Sequence, residues 1–408
     1  MSTHSEVKNP FRPGAGHMPP YLAGREEEQK EFKTLLNQEV ILKNLVLTGL
    51  RGVGKTVLLE TLKPIAIGAG WLWVGADFSE STSVNEQNIC VRLLTDLSVV
   101  TSSLSIPDNA SGTVGFKRGS STNLNFDGLL HLYNKTPGMA IDKIKRVLEV
   151  TWEALEKERR KGIIFAYDEA QNLADQSEKD QYPLSLLLDL FQSIQKKGIP
   201  FMLALTGLPT LFPKLVEART FSERMFRVVT LERLNREDSI DAIVKPTEKC
   251  SFKFRGETVD LIYETSGGYP YFIQFICREL FDAWIQRIDD GKNPVARTGD
   301  IVRKLDTDFF SGRWSKATDR QRELLEVVSY LPNCDSEFTV QEVVEKSSGA
   351  LSKPFSPSHA NQMLSSLCEA GLVYKNRHGK YSFAVPLLGS FIQRQIKERE
   401  KERESKKV

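Results

Sequence analysis

Residues 49–56 read GLRGVGKT, two glycines bracketing four residues and followed by Lys-Thr, the pattern of a phosphate-binding loop. No other stretch constrains the fold as strongly, because such a loop works between a buried strand and a helix whose N-terminus faces the anion. The flanks agree with that demand. Asn44-Leu45-Val46-Leu47-Thr48 is a short apolar run of strand type, and Val57-Leu58-Leu59-Glu60-Thr61-Leu62 has the spacing of an amphipathic helix. Gly49, Gly52 and Gly54 permit the tight turn that aims successive amides at phosphate oxygens. Lys55 then reaches toward the β- and γ-phosphates, and the Thr56 hydroxyl toward Mg²⁺. The expected nucleotide-contacting set is Gly49, Gly52, Val53, Gly54, Lys55, Thr56 and Val57, and the expected ligands are ATP or ADP with Mg²⁺.

At 408 residues the chain has room for two or three domains. Its net charge of +2 rules out a broadly basic surface, so any nucleic-acid contact must be a local patch. Cys90, Cys250, Cys277, Cys334 and Cys368 are scattered without metal-ligand spacing and read as thiols of a reducing compartment. The longest apolar stretch, near Ile199–Phe212, is broken by Pro200, Gly207 and Pro209. These features predict a cytoplasmic protein without a membrane span.

Strand-type runs at 44–48, 71–78, 163–168, 201–206 and 226–231 alternate with helical patterns up to about Leu231, which predicts a mostly parallel α/β sheet flanked by helices. Residues 1–18, with Pro10, Pro13, Gly14 and Gly16, read as a flexible arm. Residues 101–127 are rich in Ser, Thr, Asn and Gly, with Val114, Phe116, Leu124 and Phe126 spaced as in a strand pair and Lys117 and Arg118 near its tip. That polar hairpin is either a plain surface loop or an element touching nucleic acid or a neighbouring subunit. Segment 234–290 is helical in pattern, broken at Gly267-Gly268-Tyr269-Pro270. Beyond Ser315 come helices at 318–331, 339–347 and 357–370, an alternating hairpin at 372–385, and a charge run from Lys397.

Strand 163–168 ends in Asp168-Glu169. A buried parallel strand aims its terminal carboxylate into the crevice beyond the sheet, where the phosphates sit. Asp168 is thereby placed to hold Mg²⁺ and Glu169 to act as the general base on the attacking water. Thr206 ends the next strand and is placed to orient that water or sense the γ-phosphate. Arg219, Arg224 and Arg227 straddle the start of the last strand, and Arg224 is best positioned to reach a neighbour's γ-phosphate as an arginine finger.

Taken together, these residues resemble the AAA+ ATPases, in the initiator-like and STAND-like branch related to origin-recognition proteins. Tyr21-Leu22-Ala23-Gly24-Arg25-Glu26 is similar to the family's opening segment, which packs around adenine and would give Tyr21 and Arg25 that role. GLRGVGKT and IIFAYDEA correspond to Walker A and B, Leu205–Pro209 to sensor 1, and TSGGYPYFIQ to the lid signature, with Pro270 against the nucleotide. The resemblance implies a nucleotide-binding core over 19–232, a helical lid over 233–314, a winged-helix domain over 315–395 and a charged tail over 396–408. The lid lacks a sensor-2 arginine where many relatives carry one, which favours slow ATP hydrolysis and a switch over a fast motor.

In the winged-helix frame, helix 357–370 presents Ser358, His359, Gln362 and Ser365 outward, while the wing carries Lys375, Arg377, His378 and Lys380, with Lys353 nearby. Those groups suit duplex DNA, the helix in the major groove and the wing on phosphates. Acids and bases nearly cancel over 315–395, and winged helices also dock proteins. The chain therefore reads either as an ATP-dependent DNA-binding switch with nucleotide-dependent self-association, or as a STAND-type scaffold that oligomerises on ATP and recruits a protein. A small-molecule kinase would leave the helical extension unexplained.

Overall fold

The computed structural model describes residues 8–79, 85–107, 121–250, 252–289, 298–332, 334, 336–377 and 379–405. Two units account for the chain, Arg25–Gly49 with Lys55–Leu231, and Met1–Gly24 with Leu50–Gly54 and Glu232–Val408.

The first unit holds β1 (Asn44–Thr48), β2 (Leu72–Val74), β3 (Ser105–Pro107), β4 (Ser121–Asn123), β5 (Ile163–Tyr167), β6 (Phe201–Gly207) and β7 (Phe226–Thr230). Five of them form a sheet in the order β2-β5-β6-β1-β7, every neighbouring pair parallel. Each residue of β1, β5 and β6 is buried. Successive strand side chains alternate faces, so unbroken burial means both faces are covered, which is why these strands read as continuous apolar runs. The covering helices are α1 (Glu26–Leu35), α2 (Lys55–Gly68), α3 (Glu86–Thr101), α4 (Phe126–Lys135), α5 (Ala140–Lys157), α6 (Pro183–Gln195), α7 (Leu211–Ala218) and α8 (Ser222–Met225). Asn85 and Asn125 cap α3 and α4 by accepting the Asn88 and Gly128 amides at 2.8 and 2.9 Å.

One polar cluster fixes the base of this sheet. Fully buried Asn44 exchanges amide hydrogen bonds with Gln195 at 3.2 and 2.8 Å, accepts the Leu203 amide at 2.7 Å, and donates to the Met225 carbonyl. Every group is satisfied in a single register of β1 against β6 and β7.

The strand expected over 71–78 is shorter, and Gly75 gives the reason. Its φ is +134°, and a Cβ there would lie 1.8 Å from the Ala166 carbonyl oxygen. Pairing breaks at that close approach and resumes as a single bridge between Asp77 and Asp168. The polar hairpin is represented by β3 and β4, which pair antiparallel from Ser105–Asn123 to Pro107–Ser121. Val114, Phe116, Lys117 and Arg118 lie outside the described residues.

The second unit contains α9 (Arg236–Val244), α10 (Gly256–Ser266), α11 (Pro270–Asp289), α12 (Thr298–Leu305), a π-helical turn over Asp306–Ser311 and the short α13 (Gly312–Trp314). There follow α14 (Asp319–Ser329), β8 (Phe338–Thr339), α15 (Val340–Ala350), α16 (Pro357–Glu369), β9 (Val373–Arg377), β10 (Lys380–Phe383) and α17 (Leu388–Ser405). A three-stranded sheet in the order β8-β10-β9 completes the element order of a winged helix. Capping boxes start α14 at Thr318 and α15 at Thr339, and Ser356 with Pro357 starts α16. Between α10 and α11, Gly267 and Gly268 have φ of +57° and +77°, and a Cβ on Gly268 would lie 2.4 Å from the Leu234 carbonyl oxygen. The glycine pair is thus required by both conformation and space.

The flexible arm expected over 1–18 needs correction for residues 9–12. Phe11 is fully buried, its ring centroid 5.9 Å from that of Phe254 and 6.3 Å from that of Phe281. Asn9 donates to the Arg278 carbonyl at 3.0 Å, the Arg12 amide to Gln274 at 3.2 Å, and Arg278 to the Phe11 carbonyl at 3.0 Å. The prolines and glycines that suggested a flexible segment flank an aromatic anchor whose burial outweighs them.

Candidate nucleotide site

Asp168 follows β5 directly and is 5% exposed. Its Oδ2 accepts the Thr56 hydroxyl at 2.5 Å, and its Oδ1 accepts the Glu169 amide at 2.7 Å as well as the Thr206 hydroxyl. Three elements produce this meeting. α2 starts at Lys55 and presents Thr56 in its first turn; β5 and β6 run in register with Tyr167 opposite Leu205, so Asp168 and Thr206 fall at the same level. Both hydroxyls donate to an ionisable carboxylate, the stronger class of hydrogen bond. Lys55 Nζ lies 3.0 Å from the Gly49 carbonyl oxygen. Gly49, Gly52 and Gly54 have φ of +156°, +82° and +92°. Val53 is buried, and the half-buried Val57 accepts the Thr61 hydroxyl on its carbonyl.

Glu169 is exposed in the left-handed region, with φ +51° and ψ +34°. Its carboxylate accepts from the Gln171 side chain, whose own oxygen accepts the Leu208 amide at 3.1 Å. Gln171 was not singled out from the sequence; its place two residues after the acidic pair was the available signal. Asp77 was missed too. Its backbone bridges Asp168, and its pKa is raised by burial, then by the negative charges of Asp168, Glu169 and Glu60. A cavity of about 230 Å³ beside Asp168 is lined by Thr56, Glu60, Asp77, Arg92 and Asp96, among others.

Among the described residues no group of three or more His, Cys, Asp or Glu could hold a metal ion. Mg²⁺ with a nucleotide needs no such cage, since one carboxylate, one hydroxyl, phosphate oxygens and water complete its shell. Thr56 and Asp168 supply that donor pair, so the residues present fit the ion.

A family profile described as AAA ATPase domain matches residues 21–216. Residues 21–216 are thus similar to an AAA ATPase domain. A second profile, a domain of unknown function (DUF8462), matches residues 307–392. No curated protein matches the sequence. Among solved structures, the chain is similar to the Walker-type ATPase PABY2304 of Pyrococcus abyssi, at 15% identity and a TM-score of 0.59 over 91% of this chain and 96% of that one. It is also similar to the ADP form of the Aeropyrum pernix ORC2 protein, at 14% identity and a TM-score of 0.53 over 94% and 97%. At these identities the likeness is one of fold.

Around the acidic strand end, the three arginine candidates differ. Arg219 makes two hydrogen bonds to Asp189, at 2.9 and 2.7 Å, and Arg227 pairs with Glu31. Arg224, on α8, is exposed and has no side-chain partner among the described residues. Arg25 is buried, 3.3 Å from Glu28 on α1. In the second unit, Lys245 donates to the Tyr21 hydroxyl at 2.8 Å and lies 4.4 Å from the centre of its ring. Pro270 begins α11, and the next amide, that of Tyr271, donates to the Gly52 carbonyl at 3.2 Å.

On the C-terminal module, α16 buries Met363, Leu364 and Leu367 and exposes Ser358, His359, Gln362 and Ser365. Lys353 and Lys375 are exposed and Lys380 is half-buried. The Arg377 side chain and His378 lie outside the described residues. No helix among the described residues is long and apolar enough to cross a membrane.

Proposed function

We propose that this chain is a cytoplasmic ATP-dependent switch that hydrolyses ATP slowly and couples its nucleotide state to duplex DNA held by the winged helix. The observation that carries the reading is the junction of Thr56, Asp168 and Thr206 at the C-terminal ends of parallel strands. In this reading Lys55 and the loop amides hold the phosphates, and Tyr21, Arg25 and Pro270 flank the base and its lid. Mg²⁺, when bound to Thr56 and Asp168, would neutralise phosphate charge. Glu169 takes the proton of the attacking water, Thr206 orients that water, and Arg224 serves a neighbouring subunit in a nucleotide-dependent homo-oligomer.

Support for DNA as the partner is the outward polar face of α16, Gln362 included, together with exposed Lys353 and Lys375, half-buried Lys380 and, from the sequence, Arg377. The alternative, a STAND-type scaffold for a protein partner, draws on Glu369, exposed at the end of the same helix. Sizing the purified protein with and without ATP, each with and without duplex DNA, separates the two. The switch gives a DNA-bound species whose amount depends on nucleotide; the scaffold gives ATP-driven assembly indifferent to DNA. Lys55→Ala should lower ATP affinity by about 10- to 100-fold, as expected on losing a charged hydrogen-bond partner, and unchanged affinity in calorimetry would remove the phosphate-loop role.

A further inference from the structure

Glu169 holds a left-handed backbone conformation, φ +51° and ψ +34°. A residue with a side chain enters that region at a cost and stays there only where its surroundings hold it. The holding contacts flank the turn that follows, Ala170–Asn172. On one side Asn172 donates to the Phe78 carbonyl at 2.8 Å, and the Phe78 amide donates to the Asp168 carbonyl at 2.9 Å. On the other side the contacts converge on the half-buried Gln171. Lys214 of α7 donates to its backbone carbonyl at 2.8 Å, and the Leu208 amide, just past β6, donates to its side-chain oxygen at 3.1 Å. Its side-chain nitrogen donates to the Glu169 carboxylate. All of these residues lie within the first unit.

The two ends of the Gln171 amide are not interchangeable. A backbone N–H can only donate, so the side-chain oxygen must face Leu208, and an ionised carboxylate can only accept, so the nitrogen must face Glu169. Gly207 leaves the room this needs, since a Cβ there would lie 2.6 Å from the Gln171 Oε1. The amide is planar, and docking its oxygen on the end of β6 therefore fixes where its N–H groups point. A hydrogen bond to a carboxylate belongs to the stronger class. We infer that Gln171 is a positioning residue for Glu169: its docked amide sets the direction of the carboxylate. The inference rests on the function proposed above, in which that carboxylate takes the proton of the attacking water. The same bond ties Glu169 to the strand that carries Thr206, so the base and the hydroxyl assigned to orient the water keep one spacing.

The test uses the full chain as wild type, Gln171→Ala, Gln171→Glu and Gln171→Asn, each also combined with Glu169→Gln. Gln171→Glu is the deciding variant. It keeps the length of the side chain and an oxygen for the Leu208 amide but offers no donor to Glu169. Hydrogen exchange without nucleotide reads the docking: protection of the Leu208 amide should fall in Gln171→Ala and persist in Gln171→Glu. ATP turnover with magnesium reads the positioning. Both variants should lower kcat about tenfold with KM within about twofold, as expected for a misdirected group, and Gln171→Asn should fall between them and wild type. On the Glu169→Gln background, under single-turnover conditions, the same changes should add nothing, because the group they direct is gone. Gln171→Glu at the wild-type rate would reduce Gln171 to a structural bond, and faster turnover would make it a restraint on Glu169. Either result overturns the inference, as do full additivity with Glu169→Gln, a change confined to KM, or unaltered Leu208 protection in Gln171→Ala. Because Gln171→Glu is close in shape to the native residue, it decides the matter even if Gln171→Ala folds poorly. Full turnover in Glu169→Gln alone would overturn the parent reading, whereas a slow Glu169→Gln beside an unaffected Gln171→Glu would sink only the positioning role.

Discussion

Two asparagines with buried amide atoms show how the base of the parallel sheet differs from the wing. Asn44, under the central strands, spends its amide and carbonyl on Gln195, Leu203 and Met225, and nothing is left unpaired. Asn376, in the wing, donates to Glu337 and Ser382 at 3.0 and 2.9 Å, yet its own carbonyl oxygen is buried without a partner among the described residues. The same contrast runs through the functional groups. Asp168 sits inside a closed set of donors, whereas Gln362 and Lys375 face solvent. A region whose polar groups satisfy one another is specified by its own sequence. One whose polar groups face outward is specified by what it meets.

The largest expected effect lies on the closed side. Glu169→Gln keeps the shape of the side chain and removes its basicity, so turnover should fall by about 10²–10⁴ while ATP binding persists. Phosphate release and nucleotide affinity measured on one preparation check this, and full phosphate release from the variant would end the assignment. Glu169 has Gln171 as a side-chain partner, so Gln171→Ala should change the rate far less than Glu169→Gln does.

Next come the asparagines themselves. Asn44→Leu strands the Leu203 amide and the Gln195 side chain, at a cost of about 2–4 kcal/mol. Asn376→Leu removes one unsatisfied oxygen along with two hydrogen bonds and should cost less, about 1 kcal/mol. Chemical denaturation of each variant measures both. Equal costs would break the comparison, because the wing would then be as tightly specified as the sheet.

Legibility in the sequence follows the same division. The strands at 44–48, 163–167 and 201–207 were readable because burial on both faces leaves unbroken apolar runs, and the phosphate loop because its glycines carry positive φ. The shortening at Gly75 was not readable, since it depends on the approach of the Ala166 carbonyl from another strand. Nor was the anchoring of Phe11, which needs Phe254 and Phe281 from distant segments. Gln171 and Asp77 were passed over for a related reason. Asp77 meets Asp168 through pairing with a distant segment, and Gln171, though only two residues from Glu169, had nothing beyond that spacing to mark it.

On the open side the expected change is one of slope. Double replacement of Lys375 and Lys380 by Glu should reduce the salt dependence of DNA binding by about two in log–log slope, near 0.9 for each phosphate deprived of its lysine. An unchanged slope across a salt series would take the wing out of the interface and favour the protein-docking alternative.

The smallest effect concerns the start of α15, where the module does satisfy itself. Glu342 accepts the Thr339 hydroxyl and amide at 2.7 and 2.6 Å, and these bonds hold its pKa below the ordinary glutamate value. The folded form therefore favours the ionised carboxylate. The contribution is present above the unfolded-state pKa and is lost as pH falls through the lowered folded value. Because the side chain is exposed, screening limits the contribution to about a few tenths of a kcal/mol. Melting temperatures between about pH 3 and 6 should converge for wild type and Glu342→Gln at the acid end, with wild type slightly higher above it. A constant offset across that range would mean that the cap works by shape alone, and that even here the module draws nothing from charge.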